Sequence, residues 1–107
     1  MKRVMVYTGS LGRDINLVEV GTTEATPEAV AETANVSWVA AFKALRNPGA
    51  YIMVGWAVEG VSDIVADPQE GWEVIEEDIL GWPFFKTPHG LAEPFYIRVI
   101  PIWEEEG

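Results

Sequence analysis

The chain has 107 residues, 49% of them apolar and five of them tryptophan, so it can bury a core within one domain. It contains no cysteine, which excludes disulfides, thiolate metal sites and a cysteine nucleophile. Its formal net charge is −10, from 17 acidic and seven basic residues.

The acidic excess lies in the second half of the chain. Residues 1–46 carry five basic and five acidic residues, whereas residues 47–107 carry two basic and twelve acidic ones. Six of these acids fall between Asp67 and Asp78, where there is no basic residue. Such a block is typical of a solvated face that maintains solubility, or of a surface that binds a basic partner.

The N-terminal sequence, MKRVMVYTGS, has only four apolar residues after its two basic ones. That run is too short for a secretory signal, and no stretch approaches the roughly twenty apolar residues of a membrane span. We therefore expect a cytoplasmic protein that does not bind membranes.

The first elements in chain order are two predicted strands. A β-branched-rich run at Arg3–Thr8 and a second run at Ile15–Thr22 are joined by turn residues, GSLGRD, at Gly9–Asp14. Together they predict a hairpin. A phosphate-binding loop is not favoured at this turn, because such a loop leads into a helix and a strand follows here.

The next segment, residues 26–49, has the strongest helical pattern. Thr26 is a good N-cap, Pro27 suits the first helical position, and Pro48 ends the pattern. We predict one main helix over about 27–46, packed on one face of the sheet. Its buried stripe would consist of Val30, Ala34, Trp38, Phe42 and Leu45.

The same letters also resemble a helix-turn-helix motif, in which Val30-Ala31 lies in the first helix and Asn35-Val36-Ser37 forms the turn. The resemblance implies a DNA-binding regulator. The start of the second helix would be Trp38-Val39-Ala40, however, where polar or basic side chains should read base edges. A modest DNA binder makes roughly six to ten phosphate contacts, and the whole chain has seven basic residues. A DNA-binding regulator that uses residues 26–46 is therefore an alternative function, and we do not expect nucleic-acid binding.

The second half of the chain predicts further strands. In Ala50–Val58 the residues on both faces of an extended chain would be apolar, which predicts a buried strand. Val61–Val65 predicts a short strand. Phe95–Glu104 predicts the final strand, followed by a frayed acidic tail at 104–107. Residues 82–94 carry three prolines and predict irregular structure.

Residues 71–80 fit two periodicities. Trp72, Ile75 and Ile79 fall at helical spacing and favour a second short helix, although the segment also alternates as a strand does. The order of elements predicts a single α+β domain over residues 1–107, with a mostly antiparallel sheet.

Candidate catalytic and metal-binding residues are few. His89 is the only histidine, and its spacing from Asp63, Asp67 and Glu70 matches neither a zinc nor a calcium motif. We expect no enzyme activity, no metal and no cofactor.

A loop of large aromatic residues follows the acidic block. Aromatic side chains on a proline-stiffened loop can anchor an interface at low entropic cost, or can instead cap the core. We predict a non-enzymatic module that binds a basic protein partner, one form being an inhibitor that covers a nucleic-acid-binding or active-site surface. A separate alternative is a structural or assembly subunit, in which the same aromatic loop contacts other copies of the chain. In size and charge the chain resembles bacterial immunity proteins and phage-encoded inhibitors. The predicted partner-binding residues are Asp67, Glu70, Glu73, Glu76, Glu77, Asp78, Trp82, Phe84 and Phe85.

Overall fold

The computed structural model describes residues 2–11 and 17–102, which form a six-stranded antiparallel sheet and two helices. The predicted α+β class is confirmed. The predicted tail at 104–107 lies outside the described residues, and the single domain over 1–107 stays a prediction. The elements are β1 (Arg3–Gly9), β2 (Val18–Glu24), α1 (Pro27–Ala34), α2 (Trp38–Arg46), β3 (Ile52–Val58), β4 (Glu73–Glu77), β5 (Pro83–Thr87) and β6 (Gly90–Ile102).

The strands follow the order β2-β1-β6-β5-β4, and β3 also pairs with β6. The described residues fall into two compact units. The first contains residues 2–8, 18–52 and 97–102, and the second contains residues 9–11, 17 and 53–96.

In the first unit, β1 and β2 form the predicted antiparallel hairpin. The side chains of β1 alternate between buried and half-buried, with Val4 and Val6 in the core. β2 begins at Val18 rather than at the predicted Ile15, and residues 12–16, which include Ile15 and part of the predicted turn, lie outside the described residues.

The prediction of one helix over about 27–46 is wrong, because Asn35 ends α1. Asn35 adopts a left-handed conformation (φ 54°, ψ 48°) that asparagine tolerates better than most residues, and its N–H bonds back to the carbonyls of Ala31 and Glu32. Ser37 then caps α2, its hydroxyl accepting from the N–H of Ala40 at 3.2 Å. Thr26 caps α1 as predicted.

The predicted buried stripe is correct in α1 and wrong in α2. Val30 and Ala34 are buried, but Trp38 and Phe42 are exposed. The left-handed residue restarts the helical phase, so that α2 buries a different face. That face consists of Ala40, Ala41 and Ala44.

In the second unit, the core consists of Trp56, Val58, Phe85 and Ala92. The predicted helix over about 71–80 is wrong: residues 73–77 form the strand β4, paired antiparallel with β5. Gly71 and Gly81 both have φ of +89°, so turns bound the segment on each side, and the residues between them pair with β5 instead of bonding to one another as a helix would.

The predicted irregular segment over 82–94 is also wrong, since β5 and the start of β6 lie there. Two of its three prolines avoid strand interiors, since Pro83 is the first residue of β5 and Pro88 lies in the turn after it, whereas Pro94 lies inside β6. The predicted strand at Val61–Val65 is reduced to one bridge, between Val65 and Trp56.

Candidate partner-binding surface

The β4–β5 hairpin presents most of the predicted site. β4 lies at one end of the strand order, and all five of its residues are exposed. The ladder runs from Glu73 opposite Lys86 to Glu77 opposite Pro83, with a register shift between Val74 and Glu76. This shift is a bulge that leaves Ile75 without a cross-strand partner.

The turn between the two strands is held by Asp78. One carboxylate oxygen, Oδ1, accepts hydrogen bonds from the N–H groups of Leu80 (2.9 Å) and Trp82 (3.0 Å). The Asp78 N–H donates to the carbonyl of Trp82 at 2.9 Å, and the N–H of Gly81 donates to the carbonyl of Asp78 at 3.0 Å. These four bonds give the turn one defined conformation.

The other carboxylate oxygen of Asp78, Oδ2, accepts a hydrogen bond from the hydroxyl of Tyr96, whose side chain is fully buried in β6. Burial disfavours the charged phenolate and raises the pKa of Tyr96; the hydrogen bond to Asp78 and its negative charge act in the same direction. The proton therefore stays on Tyr96. Asp78 is itself buried, and both oxygens of its carboxylate accept hydrogen bonds within the protein.

Large apolar side chains are exposed along this hairpin. Trp82 packs edge-on against Trp56, with 6.4 Å between ring centroids, and still exposes 42% of its surface. Five such side chains are between 42% and 63% exposed, and three exposed glutamates lie beside the first two of them on β4. We call these eight residues the hairpin surface: Glu73, Val74, Ile75, Glu76, Glu77, Ile79, Leu80 and Trp82.

The nine predicted partner-binding residues are thus divided. Six are exposed: Asp67 and Glu70 in the loop before β4, three glutamates on β4, and Trp82 in the turn. Three are buried: Asp78, Phe84 and Phe85. The two phenylalanines are packed inside, as the core-capping interpretation of the loop expects.

Four exposed apolar residues of the hairpin surface were missed by the sequence reasoning. Two of them, Ile75 and Ile79, fall at the helical spacing that favoured a helix, which does not form, and the other two were given no role. The run Ile79-Leu80-Gly81-Trp82 does carry a signal, since apolar residues beside a turn glycine have little chance of burial on a short hairpin. The missed residues are Val74, Ile75, Ile79 and Leu80.

A second exposed apolar face lies on α2. The Trp38 and Phe42 rings are stacked at 5.3 Å, and the Arg46 guanidinium lies 5.7 Å from the Phe42 centroid. The Trp38 indole N–H donates to the Glu28 carboxylate at 3.0 Å, which lowers the pKa of Glu28.

The two-helix geometry of the helix-turn-helix resemblance is therefore present. The exposed start of α2 carries Trp38 (49% exposed) and Val39 (55% exposed), which offer no hydrogen-bonding head to base edges beyond the indole N–H already bonded to Glu28. The expectation that the chain does not bind nucleic acid stays a prediction.

The remaining candidate chemistry is sparse. His89 is exposed in the β5–β6 turn, where its backbone N–H donates to the Thr87 hydroxyl at 3.0 Å. Within residues 2–11 and 17–102, no three acids or histidines are grouped so that they could hold a metal ion. In the same part of the chain, no helix has the length and apolar character needed to cross a membrane.

Comparison of the chain with protein-family models, with curated proteins and with solved structures gave no match. What the protein does must therefore be argued from its own residues, above all from the hairpin surface.

Proposed function

We propose that the protein is a small non-enzymatic binding module whose hairpin surface docks on a basic surface of another protein. One observation carries this proposal: five large apolar side chains are exposed together on one hairpin, with three exposed glutamates beside the first two of them on β4. Contiguous exposed apolar groups with a polar surround are typical of interaction sites.

Charge supports a basic partner. The chain carries −10, and the acidic excess lies in the half of the sequence that contains the hairpin. Glutamates around an apolar patch speed encounter with a basic surface and exclude acidic ones. An inhibitor that covers a basic functional surface is one form of this activity.

Preorganisation supports affinity. The Asp78 carboxylate already holds the turn that carries Ile79, Leu80 and Trp82, so little backbone order has to be gained on binding. Trp82 is braced by Trp56 and is the natural anchor, because tryptophan is enriched among the residues that dominate interface energies.

A different protein is favoured over a second copy of this chain. Pairing two β4 edges would bring like-charged glutamates together, and the bulge at Ile75 interrupts the edge that a second strand would extend. Self-assembly through this surface is therefore opposed by the charges that attract a basic protein.

The test is affinity capture from extract of the cells that express the protein. Wild type is compared with a hairpin triple variant, Glu73→Lys/Glu76→Lys/Glu77→Lys, and with an apolar variant, Leu80→Ser/Trp82→Ser. The matched control is Glu19→Lys/Glu24→Lys/Glu32→Lys, which reverses three equally exposed charges in the first unit.

The proposal expects a discrete basic protein to be retained by wild type and by the control, and to be lost with both hairpin variants. Wild type and the two charge-reversal triples should unfold at similar temperatures, because the changed side chains are exposed. The apolar variant loses the contact between Trp82 and Trp56 and should unfold at a lower temperature, so its capture is measured below that temperature, where it is folded. The proposal is overturned if no retained protein depends on the hairpin residues, or if both charge-reversal triples lose it equally. Retention of the protein's own copies alone would also overturn it.

A further inference from the structure

The second unit contains a cleft at the start of β4 that the hairpin surface does not include. Its volume is about 330 Å³, which falls within the usual range of small ligand sites. Apolar side chains from β3 and the following loop form one wall, and Trp72 forms another. The polar groups at the cleft are Gln69, Glu70 and His89.

The aromatic wall is fixed in place. The Trp72 ring packs tilted on Phe85 at 5.4 Å and edge-on to Trp56 at 6.4 Å between centroids. Its backbone N–H closes a turn on the carbonyl of Gln69 at 3.3 Å, with Gly71 (φ +89°) inside the turn. This turn brings Glu70 and Trp72 to the same cleft.

The aliphatic wall is fixed as well. Val65 is bridged to Trp56 by two backbone hydrogen bonds of 2.8 and 2.9 Å, and it lines the cleft together with Val58 and Val61. The cleft is therefore lined by held valines and an indole, with the Glu70 carboxyl group beside them.

An apolar stem that ends in a cation fits these walls. Tryptophan is the best aromatic partner for a cation, and a guanidinium combines stacking on a ring with hydrogen bonds to a carboxylate. Among the described residues that line the cleft, Glu70 supplies the carboxylate, and an acidic site agrees with the net charge of −10.

We propose that this cleft is a recognition pocket for an arginine side chain of the basic partner. The pocket rests on the proposed function, and it extends the interface from the hairpin surface to the loop before β4. The aliphatic part of the arginine would lie against the valines, with the guanidinium on Trp72 and Glu70. Two sources offer this chemistry, a protein side chain and a free alkyl cation, and we commit to the side chain.

The probes are n-butylguanidinium, the capped tripeptide acetyl-Gly-Arg-Gly-amide, and n-butylurea as the uncharged isostere. Binding is measured by NMR from the indole N–H of Trp72, with that of Trp38 in the first unit as the internal reference. We expect saturable shifts at Trp72 with the two cations, at millimolar affinity, and none with butylurea.

Glu70→Gln should lower the affinity for both cations at least fivefold. The control Glu73→Gln changes a residue that is also exposed and close in sequence, and it should change the affinity less than twofold. The pocket is overturned if butylurea binds as well as butylguanidinium, or if both glutamine variants behave alike. If free butylguanidinium binds and the tripeptide does not, the pocket does not recognise an arginine side chain of a protein.

The failure of this pocket is distinguishable from the failure of the proposed function. The hairpin triple variant leaves the cleft residues unchanged and should still bind butylguanidinium. If a partner is captured through the hairpin residues but no cation binds at Trp72, the arginine pocket is wrong and the proposed function still holds.

Discussion

The hydroxyl of Tyr96 donates a hydrogen bond to Oδ2 of Asp78 and so connects the buried middle of β6 to the turn after β4. The second oxygen of the same carboxylate holds the N–H groups of Leu80 and Trp82. A buried carboxylate thus transmits the order of the core to the exposed turn. The conformation of the hairpin surface therefore depends on the Asp78 side chain.

Removing the Tyr96 hydroxyl should therefore destabilise the protein and loosen the turn. Tyr96→Phe leaves a buried carboxylate oxygen without its donor, which costs about 1–3 kcal/mol. Urea unfolding measures the cost, and amide hydrogen exchange at Leu80 and Trp82 should become faster. Tyr7→Phe is the matched control, since the Tyr7 hydroxyl donates to the weakly accepting sulfur of Met5. Equal stability losses in the two variants would contradict this role for Asp78.

The raised pKa of Tyr96 predicts a loss of stability at alkaline pH. In the unfolded chain the tyrosine titrates near 10.0, whereas in the folded protein it keeps its proton to higher pH. Its contribution to the free energy of unfolding is complete below pH 10 and is lost as pH rises through the folded pKa, by at most about 1.4 kcal/mol per pH unit. Wild type should lose stability above pH 10 more steeply than Tyr96→Phe; parallel curves would show that Tyr96 ionises normally.

The hydrogen bond between Trp38 and Glu28 gives a prediction at acidic pH. The indole donor lowers the pKa of Glu28, so its stabilising contribution is present above the unfolded pKa and is lost as pH falls through the folded one. Trp38→Phe should raise the pKa of Glu28, measured by NMR titration of its side-chain carboxyl. Trp82→Phe should leave that pKa unchanged. If the pKa of Glu28 is the same in wild type and in both variants, the hydrogen bond from Trp38 to Glu28 does not affect it, which contradicts this prediction.

Gly55 permits the close approach that builds the aliphatic wall of the cleft. A Cβ there would lie 2.5 Å from the carbonyl oxygen of Val65 and 2.8 Å from Cγ2 of Ile64. Gly55→Ala should break the bridge between Trp56 and Val65, with a stability loss of about 1–3 kcal/mol and faster exchange of the Val65 amide. Gly60→Ala meets open space and should keep that amide protected. Protection of Val65 in both variants would contradict the packing described.

Local signals in the sequence were sufficient for the caps and the first hairpin. Thr26 before Pro27 predicts the start of a helix, because the capping hydrogen bond joins residues only three positions apart. The Thr26 hydroxyl does accept a hydrogen bond from the N–H of Ala29. The alternation that buries Val4 and Val6 is likewise a local pattern. These elements could be predicted because neighbouring residues determine them.

The hairpin surface could not be predicted, because it depends on pairing between distant segments. Trp72, Ile75 and Ile79 fit a helix as well as they fit exposed and half-buried positions on an edge strand and its turn. Only pairing with β5 decides between them, and that pairing also buries Phe84 and Phe85. The same dependence hid the role of Asp78, since its partner Tyr96 is 18 residues away.

The most direct test of the central claim is site-specific photo-cross-linking in the cells that express the protein. A photoreactive p-benzoylphenylalanine replaces Leu80, in the turn of the hairpin surface, or Val20, an equally apolar exposed residue on β2. The account predicts one discrete product with a basic protein from position 80, none from position 20, and loss of that product when Glu73, Glu76 and Glu77 are changed to lysine. Identical products from the two positions, or a product from position 80 that persists after the charge reversal, would contradict a basic partner bound at the hairpin.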